Sequence, residues 1–262
     1  LRPEQLLPAH HWRTCGLGAG RGWGKGLAVA CEINRRVEAG EEKHILLMAP
    51  TEERTEDVQM RPLIDYAPPW FRPEIYRGGL RWPNGVRALP FTPIAPGRTR
   101  GENASLSWCT ELVDWKAATR LEAWDNIATA TRIGRAQIIW DSTSKGRNDL
   151  LGTLYAANAR NPEQNPIIGG TMFDNPLLSL QYMRAEYERY TGVRRQEELF
   201  GERFDEAAGA LWKQAWLDRT RVELRGDTYY RGSVLRRVFA VLEEHADEIR
   251  AARGQKPTVA VA

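Results

Sequence analysis

The sequence contains few cysteines, and the three it has are far apart. Cys15, Cys31 and Cys109 show no C-x-x-C spacing and have no histidine cluster beside them. This pattern argues against a zinc site and a disulfide framework, and it favours a reducing compartment. The sequence also lacks an apolar run of about 18 residues and opens without a signal-peptide core, so we expect a soluble protein that does not enter a membrane.

Lysine is scarce, and the net charge is small. Among 37 basic residues only six are lysines, and the formal net charge is +3 over 262 residues. A charge of this size does not indicate a nucleic-acid binder. Arginine suits bidentate phosphate contacts, but the codon bias of a GC-rich genome produces the same excess, so the excess alone predicts no function. The length predicts one large domain with an appendage.

Glycine, in contrast, is concentrated near the start of the chain. Residues 16–26 read G-L-G-A-G-R-G-W-G-K-G, and apolar residues follow at helical spacing. A glycine-rich turn that ends in lysine and opens a helix is typical of a phosphate-binding loop, whose pattern is G-x-x-x-x-G-K-[ST]. The alternatives are a flexible turn and a dinucleotide-binding turn, but the latter has no use for the lysine. The predicted ATP-binding loop comprises Ala19, Gly20, Arg21, Gly22, Trp23, Gly24, Lys25 and Gly26.

Two positions in this loop carry specific expectations. Arg21 could reach the γ-phosphate and stabilise transition-state charge in cis, as arginine fingers do; the alternative is an arginine that points into solvent. Gly26 stands where a phosphate-binding loop has the serine or threonine whose hydroxyl holds magnesium. The sequence therefore predicts nucleotide binding, with one magnesium contact missing.

Short apolar runs alternate with helical patterns along the first 165 residues. The runs at 44–49, 104–109 and 136–140 have the length of buried strands. This alternation predicts a mainly parallel sheet with helices on both faces, whose ligands bind beyond the carboxyl ends of the strands. The many prolines and aromatic residues of 61–100 predict loops and short edge strands there.

Polar residues follow two of these predicted strands. Glu111 lies where a carboxylate that activates water is expected, and Thr110 precedes it where a second, magnesium-binding acid is expected, so only one acid is predicted. The alternative for Glu111 is an exposed glutamate at a helix start. Ser142, Thr143 and Ser144 follow the third strand and could sense the γ-phosphate, although small polar residues end many strands.

Taken together, these segments resemble the ATPase domain of phage terminase large subunits, in the branch that includes gene-transfer-agent terminases. The resemblance rests on 2–5 (RPEQ), 12–13 (WR), 19–25 (AGRGWGK), 48–51 (MAPT), 108–112 (WCTEL) with Trp115, 124–126 (WDN), 142–144 (STS), 171–175 (TMFDN), 195–202 (RQEELFGE) and 209–212 (GALW). The order and spacing of these motifs, rather than any one of them, make the resemblance specific.

The resemblance implies a P-loop NTPase of the ASCE class (additional strand, catalytic glutamate) with a smaller helical linker subdomain. It places Gln5 and Arg13 in the ATP site, with Gln5 near the adenine. It makes Glu111 the catalytic carboxylate, Arg21 the cis arginine and 142–144 the coupling motif.

The same resemblance identifies two departures from the family. The family usually has threonine or serine at the position of Gly26 and aspartate at the position of Thr110. The cofactors implied are ATP and Mg²⁺, and the ion would be held through Thr110 and Glu111 by way of water.

Three segments are predicted. Residues 1–165 would form the P-loop ATPase core, and 166–256 the remaining ATPase elements and the helical linker subdomain, with helices near 180–187 and at 234–253. Residues 257–262 look like the first strand of a nuclease domain that is cut short, so nuclease activity is expected only of a longer protein.

The implied function is an ATP-hydrolysing motor that drives double-stranded DNA into a procapsid. The resemblance implies a portal ring and a small terminase subunit as partners, a ring of this subunit when assembled, and a location in the host cytoplasm with transient docking on the procapsid. The alternative is a nucleotide-binding structural module with a degenerate magnesium site and little turnover. A small-molecule P-loop kinase is a third possibility that leaves the downstream motifs unexplained.

Overall fold

The structure, a computed structural model, describes residues 1–203, which form one compact unit. The predicted helix at 234–253 and the predicted nuclease start at 257–262 lie outside the described residues. Within the described part, no helix is long and apolar enough to cross a membrane.

The described residues form one eight-stranded sheet. Its strands are β1 (Thr14–Gly18), β2 (His44–Met48), β3 (Glu74–Tyr76), β4 (Gly79–Arg81), β5 (Arg87–Phe91), β6 (Leu106–Thr110), β7 (Gln137–Ser142) and β8 (Ile167–Ile168). Their order across the sheet is β3-β4-β5-β2-β6-β7-β1-β8. All neighbouring pairs are parallel except β3 with β4 and β4 with β5. The predicted mainly parallel α/β sheet is confirmed.

Strand β7 lies between β1 and β6, as the ASCE class requires of its additional strand. Gly18 of β1 pairs with Ser142, and Thr110 of β6 pairs with Asp141. Because these strands are parallel and in this register, their carboxyl ends lie level with one another at the same edge of the sheet. Strands β6 and β7 are buried along their whole length, as expected of parallel strands that helices cover on both faces.

Helices cover both faces of the sheet. The α-helices of residues 1–203 are α1 (Lys25–Glu38), α2 (Glu52–Thr55), α3 (Arg61–Asp65), α4 (Arg120–Ala130), α5 (Asp149–Arg160), α6 (Leu180–Arg189) and α7 (Gly192–Phe200). Buried side chains of α1 and α3 belong to one core cluster, and those of α4 and α5 belong to a second. Helix α2 begins after Thr51, whose side chain accepts a hydrogen bond from the N–H of Arg54 and so caps the helix.

The proline-rich segment 61–100 differs in one respect from its prediction. It contains the short strands β3 and β4 at the sheet edge, as expected, but β5 lies inside the sheet between β4 and β2 although it includes Pro90. Strand β4 pairs with β5 only at Arg87 and Ala88. The missing N–H of Pro90 therefore falls where no β4 residue pairs with it, and the proline is tolerated.

A buried asparagine joins α1 to two neighbouring segments. Asn34 Nδ2 donates to the carbonyl of Leu63 in α3 at 3.0 Å, and Asn34 Oδ1 accepts from Trp82 Nε1 at 2.9 Å. Asn34 is 2% exposed and Trp82 is 1% exposed. Both partners therefore depend on this one side chain for a hydrogen bond.

Replacing Asn34 with leucine should lower the free energy of unfolding by about 2–4 kcal/mol, because each buried polar group left unpaired costs roughly 1–3 kcal/mol. The matched control is Asn84→Ala, which removes an exposed amide that donates to Val37 and should cost less than about 1 kcal/mol. Denaturant unfolding of both variants measures the difference. Equal losses would show that the buried pair has no special role.

Candidate functional site

The glycine-rich loop connects β1 to α1 as predicted. Gly22 and Gly24 have φ angles of 76° and 99°, which residues with a Cβ rarely adopt, so these two glycines are required by the turn. Helix α1 begins at Lys25, and the first N–H groups of a helix have no carbonyl partner within it. The loop thus presents unpaired backbone donors at a helix N-terminus, which is an anion-binding arrangement.

Lys25 lies at the centre of the loop. Its Nζ donates to the carbonyls of Ala19 at 2.7 Å and Gly20 at 3.1 Å. It also donates to Thr143 Oγ1 at 3.0 Å, which links the glycine loop to the segment after β7. Burial lowers the pKa of Lys25 from 10.5 to about 8, and the carboxylate of Asp141 opposes this shift.

A cleft of about 350 Å³ opens over the loop at the carboxyl edge of the sheet. Its walls combine the loop, the residues after β6 and those after β7: Arg21, Gly22, Gly24, Lys25, Gly26, Val58, Thr110, Glu111, Val113, Asp114, Asp141, Ser142, Thr143 and Lys145. The three segments singled out in the sequence therefore line one cavity.

The three predicted coupling residues each contact a different part of the fold. Ser142 Oγ accepts from the N–H of Val113 at 3.2 Å, in the turn that follows Glu111. Thr143 accepts from Lys25. Ser144 is buried and hydrogen bonds with the side chain of Tyr155 in α5. A movement of residues 142–144 would therefore change contacts with the turn after Glu111, with the glycine loop and with α5 at the same time.

Glu111 follows β6 directly and adopts left-handed backbone geometry, with φ 53°. This conformation is uncommon for a residue with a side chain and is often found at functional sites. Its carboxylate forms a two-pronged pair with the guanidinium of Arg54 in α2; Arg54 Nε lies 2.9 Å from Glu111 Oε2. The hydrogen bond to Glu111 raises the pKa of Arg54. Sequence reasoning missed Arg54.

Arg21 also has an acidic partner that the sequence did not reveal. Its Nη2 lies 3.2 Å from Oε2 of Glu198 in α7, and its backbone N–H donates to the Glu198 carbonyl at 2.6 Å. The neighbouring Glu197 accepts from the N–H of Gly146, after the coupling residues, at 2.6 Å. Glu197 and Glu198 are both buried, so α7 is attached to the glycine loop and to the segment after β7.

The loop after β6 offers Glu111 but not the second, magnesium-binding acid expected at position 110, and Asp141 of β7 brings a further acid to the cleft. Asp141 is the penultimate residue of β7, lines the cleft and is 5% exposed. It accepts hydrogen bonds from Thr110 Oγ1 at 2.8 Å and from Trp108 Nε1 at 2.6 Å. Its position directly before the coupling residues was a usable signal, but only the strand register places it beside Thr110.

Gln5 lies against the glycine loop, whereas Arg13 does not. Gln5 is buried and donates to the carbonyl of Trp23 at 3.1 Å. Arg13 precedes β1, at the end opposite the loop, and is absent from the residues that line the cleft. Its guanidinium donates to the carbonyls of Ala128, Thr131 and Ala136. The structure therefore does not support Arg13 as an ATP contact: it caps the carbonyl end of α4.

The described residues suit magnesium only if a nucleotide supplies part of the coordination. Residues 1–203 contain no group of three or more acidic, histidine or cysteine side chains arranged to hold a metal ion. Magnesium, however, is bound through one or two carboxylates plus phosphates and waters in such sites, and Asp141 and Glu111 both line the cleft. A Cβ added at Gly26 would contact only the Val58 carbonyl, at 3.9 Å, so sterics do not explain the missing hydroxyl.

Comparison with known families gives one match. Residues 17–219 match the family described as terminase large subunit, T4likevirus-type, N-terminal. No curated protein sequence matches the chain. The gene-transfer-agent branch stays a prediction.

Solved structures of large terminases share the fold. The large terminase of a thermophilic bacteriophage aligns with a TM-score of 0.60 at 13% identity, over 76% of this chain and 49% of that one; it has also been solved with ATP-γ-S and with ADP. The large terminase ATPase domain of Thermus phage P74-26 gives 0.53 at 15%, over 77% and 99%. The HK97 bacteriophage large terminase gives 0.53 at 17%, over 73% and 47%. This chain thus spans about half the length of the first and third proteins.

The lowered pKa of Lys25 predicts proton uptake when phosphate binds. An anion beside Lys25 should raise its pKa from about 8 back toward 10.5, so binding ATP at pH about 9 should take up to about one proton. Because the folded pKa is depressed, affinity should weaken as pH rises through 8. Calorimetry in buffers of different ionisation enthalpy measures the uptake. In Lys25→Arg, whose guanidinium stays charged, the uptake should vanish; uptake that persists there would contradict the assignment.

The reassigned role of Arg13 predicts a loss of stability without a loss of nucleotide affinity. Arg13→Met should lower the free energy of unfolding by about 2–4 kcal/mol, because it removes charged hydrogen bonds to helix-end carbonyls. The control is Arg132→Met, which removes an exposed guanidinium paired with Asn103 and should have little effect. Titration with ATP-γ-S checks the affinity. A large loss of affinity in a folded Arg13→Met protein would restore its predicted place in the ATP site.

Proposed function

The chain belongs to the family of terminase large subunits, as an N-terminal domain of the T4likevirus type, and on that premise we propose that it is the ATPase motor domain that powers the translocation of double-stranded DNA into a procapsid. The observation that carries the proposal is the convergence of Lys25, Glu111 and Thr143 on one cleft at the carboxyl edge of the sheet. The residues suited to bind phosphate, to activate water and to signal the loss of phosphate would thus share one site.

The proposed roles follow from the positions of the side chains. The glycine loop and Lys25 bind the phosphates. Gln5 stabilises the loop by donating a hydrogen bond to the Trp23 carbonyl. Glu111 accepts the proton of the attacking water. Arg21, next to the phosphate-binding glycines, stabilises charge on the transferring phosphoryl group. Magnesium, when bound, supplies charge neutralisation between the phosphates.

Coupling to movement is proposed to pass through the segment after β7 and through α7. Thr143 accepts a hydrogen bond from Lys25, so the loss of a phosphate from Lys25 alters the hydrogen bonding of Thr143. Glu197 and Glu198 connect α7 to the same two loops. Helix α7 belongs to the segment 166–256, in which the sequence predicts the remaining ATPase elements and the helical linker subdomain.

The remaining functional assignments extend from the family. The proposed partners are double-stranded DNA, a portal ring and a small terminase subunit, with a homo-oligomeric ring on the portal and action in the host cytoplasm at the procapsid. Contacts to DNA phosphates rather than to bases would make DNA binding independent of sequence and strongly weakened by salt. Cleavage of DNA is assigned to a longer protein.

The proposed activity predicts magnesium-dependent phosphate release from ATP. Glu111→Gln should lower the rate by at least about 100-fold, because a positioned general base contributes roughly 10²–10⁴. Lys25→Ala should abolish release by removing the phosphate contact. Phosphate release measured with Mg²⁺ and with a chelator checks both.

Matched exposed residues serve as controls for these two variants. Lys116→Ala and Glu122→Gln change exposed side chains outside the cleft and should retain the full rate. Release by the unchanged protein that does not exceed that of Lys25→Ala would contradict hydrolysis. If ATP still bound and raised the unfolding temperature, that result would instead support the nucleotide-binding structural module.

A further inference from the structure

Asp141 is a buried carboxylate that no cationic side chain of residues 1–203 contacts. Its two oxygens accept from Thr110 and Trp108, both uncharged donors. Among residues 1–203, no lysine, arginine or histidine forms an ion pair with it, although the charge of Lys25 acts on it from across the cleft. A buried charge without a partner is costly. Its side chain therefore needs an explanation that packing does not give.

The position of Asp141 is close to that of the acid that the family motif would place at 110. Thr110 and Asp141 are register partners on adjacent parallel strands, and their side chains are bonded to each other at 2.8 Å. A carboxylate lost from the end of β6 would thus be replaced from the end of β7, one strand away. The cleft that holds Lys25, Gly26 and Glu111 also includes Asp141.

The geometry leaves Asp141 free to bind a further group. An ionised carboxylate offers about four lone-pair positions, and two are occupied by Trp108 and Thr110. These two donors come from the same face of β6, two residues apart, and they fix the carboxylate in place. Such outer donors commonly orient a ligand toward a metal ion.

We propose that Asp141 supplies the carboxylate that binds the hydrated magnesium ion of the nucleotide complex, and that Thr110 orients Asp141 rather than binding the ion. The inference rests on the proposed nucleotide binding. It accounts together for the threonine at 110, for the burial of Asp141 without an ion-pair partner among residues 1–203 and for the hydrogen bond that joins the two side chains.

The test compares the affinity for ATP-γ-S with Mg²⁺ and with a chelator. In the unchanged protein Mg²⁺ should tighten binding. In Asp141→Asn this gain should fall by about 10-fold or more, a typical loss when a metal site is disturbed. Binding in chelator should stay equal or become tighter, since a negative charge near the phosphates is gone. A variant that is merely misfolded would lose affinity in both conditions.

Asp141→Asn should keep the fold. Its amide oxygen can accept from Trp108, and its amide nitrogen can donate to the Thr110 hydroxyl, which accepts as well as donates. The unfolding temperature should therefore not fall. The double variant Thr110→Asp with Asp141→Asn moves the carboxylate to β6 and should recover the magnesium gain.

Asp114 is the rival candidate for the magnesium-binding carboxylate, so Asp114→Asn serves as the comparison variant. Asp114 lines the same cleft, but it is exposed and paired with Lys145. This variant should retain the magnesium gain. A full gain in Asp141→Asn, or an equal loss in Asp114→Asn, would overturn the inference while leaving the proposed function intact. If the unchanged protein did not bind ATP-γ-S in either condition, the proposed function itself would fail.

Discussion

The parallel register of β1, β7 and β6 is the constraint on which the site depends. It sets Gly18 beside Ser142 and Thr110 beside Asp141, so three chain segments leave the sheet at one level. The glycine loop, the acids and the hydroxyl segment are far apart in sequence, and only this alignment brings them within hydrogen-bond distance. The Lys25 to Thr143 contact and the Thr110 to Asp141 contact are its direct results.

The same alignment buries two opposite charges that do not touch. Burial lowers the pKa of Lys25 and raises that of Asp141, each toward its neutral form, and the attraction between them offsets only part of this effect. Burial therefore disfavours the charged form of each of the two groups. A ligand that brings anionic phosphates to the lysine and a cation to the aspartate would relieve both costs, which is a physical reason for a metal–nucleotide complex to bind here.

Local pattern predicted the features that depend on neighbouring residues. The glycine loop and the helix after it each follow from a few adjacent residues, and the strand runs follow from burial on both faces. The partners of the site residues did not follow, because they come from distant positions: Arg54 for Glu111, Glu198 for Arg21 and Asp141 for Thr110. Arg13, predicted in the ATP site, instead contacts carbonyls that are set by the end of α4 and not by any motif.

The two residues proposed for catalysis are both held by ion pairs, and these pairs differ in kind. In the Glu111 to Arg54 pair both side chains are partly exposed. Breaking this pair therefore costs little free energy, because water solvates both charges. In the Arg21 to Glu198 pair the carboxylate is 4% exposed. If Arg21 turns toward a phosphate, Glu198 becomes a buried charge without a partner, which is strongly unfavourable. A position of Arg21 that leaves Glu198 is therefore coupled energetically to the position of α7, which holds this carboxylate.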